Sequence, residues 1–229
     1  ISALPGLEIV GILTHFSSAD EEDRSYTEQQ IAHFDDFAEM LTGKGFNPKK
    51  FASNSAATMV FPNAKYDAVR AGIILYGFSP SGYLQETCSS LKPAMSVKAN
   101  IAYIKTVPAG SCVSYGRKFV CTRDTQIATI SIGYADGYPR GLSGKVDVLI
   151  DGQRCPVIGN ICMDQCMIDV TDLPHVDMCT EVVIMGRSGD DEITAEMLAE
   201  KLGTINYEII CGFGERLHKV YLGEPADRP

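Results

Sequence analysis

At 229 residues, 45% of them hydrophobic and 21% charged, the chain has enough apolar content to pack one large or two small domains, which argues against disorder. A net charge of −9, with no cluster of Lys and Arg, leaves little to neutralise phosphates, so nucleic acids and anionic membranes are poor partners. The longest apolar runs, such as residues 71–76 and 209–211, fall far short of the roughly 20 residues that span a bilayer.

The chain opens Ile-Ser-Ala-Leu-Pro, without an initiator Met or a basic and then apolar leader, and reads as part of something longer. Residues 7–16 form a nearly continuous apolar and β-branched run that predicts a strand covered on both faces, as in a parallel sheet. Ile31, Phe34, Phe37, Ala38 and Leu41 then recur at helical spacing, with Thr27 and Gln30 offering a capping box and Gly43 and Gly45 a stop. A short strand over residues 50–53, a helix from Ser55 and an apolar strand over residues 69–76 continue the β-then-α alternation of a (β/α) barrel. After a Ser-, Gly- and Pro-rich loop (79–93) the texture becomes short strands separated by turn signals at Pro108-Ala109-Gly110, Arg123-Asp124, Asp151-Gly152 and Gly189-Asp190. In this second part only residues 195–202 carry a helical pattern, with Ile193-Thr194 as the cap.

Barrel strands ending in polar residues draw attention, because such folds place their chemistry at the C-terminal ends of strands. His15 ends the first strand and reads either as a hydrogen-bonded core residue or as a catalyst. Asn54-Ser55-Ala56-Ala57 joins a strand to a helix, and serves equally as a plain N-cap or as a phosphate cradle of N–H groups and a hydroxyl. Arg70-Ala71-Gly72-Ile73 brings a guanidinium that needs an acceptor and a glycine that permits close approach, for a ligand or for a structural salt bridge. The eight cysteines sit mostly in apolar runs and read as reduced core thiols. Cys162 and Cys166 lack the spacing and partners of a zinc site, so no metal is expected.

Together, Asn54-Ser-Ala-Ala, Arg70-Ala-Gly-Ile with Tyr76-Gly77, Val113-Ser-Tyr-Gly, Gly133-Tyr-Ala-Asp-Gly137, Gly159-Asn-Ile-Cys-Met-Asp-Gln165 and Ile205-Asn-Tyr-Glu208 closely resemble the alanine racemase family of fold-type III pyridoxal-phosphate enzymes. The resemblance covers essentially the whole chain. It implies an α/β plus mainly-β fold: residues 1–90 as the C-terminal strands and helices of a (β/α)8 TIM-like barrel, and residues 91–229 as a C-terminal β domain.

It also implies roles. Tyr115 resembles the base that exchanges the substrate's α-proton on one face, the cofactor's lysine being the base on the other. A phenol ionises near ~10 in water, so such a base needs a stabilised phenolate or a proton relay. His15 resembles the residue linking that tyrosine to Arg70, and Arg70 the arginine facing the pyridine nitrogen. There it would keep the nitrogen unprotonated and weaken the electron sink. Asn54, Ser55, Gly72, Ile73 and the hydroxyl of Tyr207 would hold the cofactor and its phosphate, the backbone N–H of Met163 would meet the substrate carboxylate, and Tyr134 and Arg140 would narrow the entrance.

The resemblance further implies a cytoplasmic homodimer with active sites shared between subunits, supplying D-alanine for peptidoglycan. Phe51 and Asn160 depart from the family, standing where relatives carry His and Arg, which leaves alanine or serine open as substrate. No lysine here has the context of the cofactor's lysine, so these residues alone are expected to be inactive. A serine racemase of glycopeptide-resistance type, with membrane spans upstream, is the alternative, followed by a fold-type III decarboxylase and a non-enzymatic pyridoxal-phosphate carrier.

Overall fold

In the computed structural model, which describes residues 3–223, the chain divides into two units, Ile1–Ala94 and Met95–Pro229. The first begins with β1 (Gly11–Leu13), α1 (Ser25–Gly43), β2 (Lys49–Phe51) and α2 (Ser55–Val60). β1 and β2 pair in parallel, with Gly11, Ile12 and Leu13 opposite Lys49, Lys50 and Phe51, as a crossover through α1 requires. A core of Phe16, Ile31, Phe34, Ala52, Ala56, Ala57, Phe61 and Leu84 lies beneath these elements.

Three local expectations change here. The strand expected over residues 7–16 shrinks to Gly11–Leu13, and Leu7, Val10 and Leu13 are 57%, 69% and 69% exposed, because β1 has a strand on one side only among the described residues. α1 has no capping box: Thr27 lies fully buried inside the helix, and Arg24 is an N-cap without a side-chain bond. Residues 69–76 are not a strand. Ala68 makes a single bridge to Phe51, Gly72 turns the backbone (ψ −96°), and Ile73–Tyr76 coil into a 3-10 turn, so the apolar character serves packing, with Ile73 buried, and not a ladder.

α2 follows its sequence signal closely. The Asn54 side chain accepts the N–H of Ala57 (3.0 Å) and donates to the carbonyl of Phe16 (3.2 Å), tying the helix start to the end of the first strand. Asn54→Ala is expected to cost about 1–2 kcal/mol, read as a lower denaturant midpoint of the complete protein at unchanged m-value.

The second unit is built on β3 (Val97–Val107), β6 (Thr125–Ile130), β7 (Asp147–Ile150), β8 (Gln153–Ile158), β9 (Cys166–Asp169), β10 (Glu181–Ser188) and β11 (Asp191–Ile193). Its sheet order is β11-β10-β3-β6-β9-β8-β7, and β10 returns to pair with β7 at Val183 and Leu149. The sheet therefore closes on itself from β10 to β7, leaving only the three-residue β11 as an edge among the described residues. Alternation sets the inside of this barrel: Val97, Ala99 and Ile101 are buried while Lys98 and Asn100 between them face out. Ile127, Ile130, Leu149, Ile158, Ile168 and Ile184 complete the core.

A small ribbon, β4 (Cys112–Val113) with β5 (Phe119–Val120), projects the segment between them. α3 (Ala195–Leu202) starts where expected, with Thr194 Oγ1 accepting the N–H of Met197 at 3.2 Å. α4 (Asn206–Gly212) corrects the expectation of a single helix in this part. Its seven residues bury only Asn206, Ile209 and Ile210, too short a stripe to show as periodicity. Burial pushes the thiols of Cys155 and Cys166 up to about 11 and about 12, and all eight cysteines are free. Among the described residues there is no group of three or more potential metal ligands, and no helix long and apolar enough to cross a membrane.

Candidate functional site

In the first unit, residues from both strand ends converge on one guanidinium. Arg70 Nη1 donates to the carbonyl of Phe51 (2.9 Å), and Nη2 donates to the carbonyls of Thr14 (2.7 Å) and Ala52 (3.3 Å). These carbonyls terminate or follow β1 and β2, so the arginine is fixed by the sheet itself and not by a carboxylate. Nη2 also lies 3.2 Å from His15 Nδ1. A guanidinium only donates, so Nδ1 accepts, and the neutral imidazole carries its proton on Nε2, facing away from the arginine. His15 itself is exposed. Arg70 retains Nε–H and one Nη1–H without a partner among the described residues.

Beside this group, the buried Ser55 Oγ accepts the N–H of Gly72 at 2.8 Å and keeps its own proton to give. A side chain at Gly72 would meet only Ser55 Oγ, 3.7 Å away, so the space over the glycine is open. Ile73 opens a helical turn, and its N–H has no intrahelical acceptor. With the Gly72 N–H taken up by Ser55 Oγ, the donors left around this open cradle are the Ser55 hydroxyl and the Ile73 N–H, with Arg70 as a donor nearby.

In the second unit, three chain segments meet. Tyr115 stands in the β4–β5 connection and is 75% exposed. Its carbonyl accepts Asn160 Nδ2 at 2.6 Å, and the preceding Ser114 Oγ donates to the carbonyl of Asn160 at 2.7 Å. The turn Gly133–Gly137, between β6 and β7, packs on the β8–β9 connection that holds Asn160: the N–H groups of Tyr134 and Ala135 donate to the carbonyls of Cys162 (3.0 Å) and Met163 (2.8 Å). Gly133 permits this approach, since a Cβ there would sit 2.4 Å from the Cys162 carbonyl oxygen. Met163 is 55% exposed, and its N–H has no partner among the described residues. Ser114, Tyr115, Cys162, Gln165 and Met167 line a shallow hollow of about 370 Å³.

Asp136, buried within that turn, accepts the N–H of Gly133 at 2.9 Å and pairs with Arg216 at 3.1 Å, which fixes the turn carrying the half-exposed Tyr134. Arg140 begins a turn that rests on α3 through Gly141 and Leu202. Ser143 links it back by donating to the Arg140 carbonyl and accepting the N–H of Ile161. Tyr207 is half-buried in α4, whose last residue, Gly212, abuts Gly137. Tyr115, Tyr134 and Arg140 are therefore each linked to the segment 160–163 that ends in Met163, within one unit, whereas His15, Arg70, Ser55 and Gly72 are joined within the other. Ser114, Asp136 and the inward turn of Asn160 were not selected from sequence, since each acts through a contact distant in the chain.

Residues 94–221 match the family described as alanine racemase, C-terminal domain, and residues 1–80 match alanine racemase, N-terminal domain. The chain belongs to the alanine racemase family. Alanine racemase 1 of Clostridium acetobutylicum is 49% identical over 223 residues, covering 97% of this chain and 58% of that protein. The alanine racemase of Bacillus anthracis with bound L-Ala-P has a TM-score of 0.87 at 40% identity, covering 92% of this chain and 54% of that one. The alanine racemase from D-cycloserine-producing Streptomyces lavendulae gives 0.88 at 38%, covering 94% and 57%. The chain thus spans a little over half the length of these alanine racemases. Its fold is the one expected: a piece of the TIM-like barrel followed by the C-terminal β domain.

Proposed function

We propose that this chain is the C-terminal part of a pyridoxal-phosphate-dependent alanine racemase that interconverts L- and D-alanine in the cytoplasm as a homodimer, supplying D-alanine for peptidoglycan. Residues 1–90 form the cofactor-binding part and residues 91–229 the β domain that carries a base. The observation that supports this most is the Arg70 guanidinium, locked by three backbone carbonyls and bonded to His15 Nδ1.

The donor set fits the cofactor. Asn54 secures the helix start, while the Ser55 hydroxyl and the N–H of Ile73 would hold a phosphate. The open space over Gly72 accommodates it. Arg70, a guanidinium that only donates, would hydrogen-bond the ring nitrogen and leave it unprotonated. When bound, pyridoxal phosphate supplies the electron sink that makes an α-proton removable.

This chain's residues then handle the proton. Tyr115 removes or returns it at its phenol oxygen, on the face opposite the lysine that belongs to the rest of the protein. His15, with Nδ1 engaged by Arg70, presents Nε2–H to steady the phenolate that forms, so Arg70 fixes the tautomer that the relay needs. In the dimer, the partner subunit's Tyr115 would meet His15. The free N–H of Met163 binds the substrate carboxylate, and Tyr134 and Arg140 restrict the entrance to a small side chain. The binding of L-Ala-P by the Bacillus anthracis relative supports an alanine-sized ligand.

With the complete protein and pyridoxal phosphate, kcat/KM is expected to be about 10- to 100-fold higher for L-alanine than for L-serine. Preferred turnover of serine would move the assignment to a serine racemase, and release of carbon dioxide would overturn racemisation altogether.

A further inference from the structure

We propose that Asn160 is a positioning residue that clasps the segment carrying Tyr115. The inference rests on the reading of Tyr115 as a base. Tyr115 is 75% exposed, and its phenol has no protein partner among the described residues, so only its backbone is held. That backbone is irregular: Ser114, Gly116 and Arg117 have φ of 63°, 74° and 50°, and two of these are not glycine. A non-glycine residue keeps such a conformation only where its surroundings enforce it.

The surroundings here are Asn160, which is 6% exposed. Its side-chain Nδ2 donates to the Tyr115 carbonyl at 2.6 Å, and its main-chain carbonyl accepts Ser114 Oγ at 2.7 Å and Cys162 Sγ at 3.5 Å. One residue thus grips both 114 and 115, from its side chain and from its backbone. Gly159 brings it close enough: at φ 70°, a Cβ on residue 159 would lie 2.6 Å from Ser114 Cβ and 2.9 Å from the Val113 carbonyl oxygen. The same connection continues to Met163, so one strand-to-strand segment sets both the height of the phenol and the carboxylate-binding N–H. An amide suits the place, being uncharged and short enough to reach a carbonyl while buried.

The test is Asn160→Asp in the complete, cofactor-loaded protein. It keeps the shape but replaces the donor by an oxygen facing the carbonyl. Asn160→Ala serves if the acid prevents folding. The expected result is a kcat about 10- to 100-fold lower with KM changed less than about threefold. The isotope effect of α-deuterated substrate should rise for the enantiomer whose proton Tyr115 removes and fall for the other. Amide hydrogen exchange of residues 114–117 should accelerate roughly tenfold while β6 and β9 keep their protection. A kcat within about twofold of the unsubstituted protein, a loss with both isotope effects unaltered, or exchange accelerated throughout the barrel would overturn the proposal. Should the unsubstituted protein not racemise alanine, the functional reading fails separately. Local exchange then decides the clasp by itself, and unchanged rates over 114–117 refute it.

Discussion

Tyr115→Phe in the complete, cofactor-loaded protein is expected to lower kcat for racemisation by roughly 10²- to 10⁴-fold, the usual worth of a positioned acid–base group. Loss should be seen in both directions, since a proton removed by the lysine on one face must still be delivered from the phenol on the other. KM should change little, because the carboxylate contact is the one proposed for the Met163 N–H and not for the phenol. Tm should fall by no more than about 5 °C, since the hydroxyl bonds to nothing within its own chain among the described residues and only the proposed contact with the partner subunit's His15, about 1 kcal/mol, is lost. Activity lost together with Tm would point to a structural tyrosine, and activity retained would remove Tyr115 from the chemistry.

Gly137→Ala should give the largest loss of stability in the second unit. Residue 137 has φ 102°, and a Cβ there would lie 2.1 Å from the carbonyl oxygen of Gly212 and 2.6 Å from Phe213 Cα, backbone that cannot swing aside. Left-handed strain and overpacking together cost about 3–5 kcal/mol, a fall in Tm on the order of 10 °C. Gly144→Ala is the control. Its φ is 67° but nothing lies within 4 Å, so it should cost only about 1–2 kcal/mol of backbone strain. Equal losses in the two variants, by calorimetry, would refute the steric account of the Gly137–Gly212 contact.

What the sequence revealed divides along physical lines. α1 was legible because Ile31, Phe34 and Ala38 repeat at helical spacing and are buried. Phe37 shared the spacing but is 48% exposed, since a stripe read from sequence has no fixed width. The caps at Asn54 and Thr194 were legible because the capping bond is local. The apolar run at 69–76 misled, as hydrophobicity reports burial and not backbone direction, and Gly72 and Gly77 turn the chain where the composition favours extension. Family and fold class followed from motifs in register, which the matches to both domains bear out. The bonds of Arg70 to strand-end carbonyls, of Asn160 to Tyr115 and of Asp136 to Arg216 were not legible. Each joins residues 18 to 80 positions apart through geometry that only the folded sheet supplies.

Racemisation involves two faces of one carbon, and Tyr115 is proposed to serve one of them. The measurement that tests this most directly is α-proton exchange in D₂O by the complete, cofactor-loaded Tyr115→Phe protein, each alanine enantiomer supplied separately and the products resolved by configuration. One enantiomer is expected to take up solvent deuterium with retention of configuration through the remaining base, while the other neither exchanges nor inverts. Inversion at the unsubstituted rate, or equal exchange into both enantiomers, would contradict this role for Tyr115.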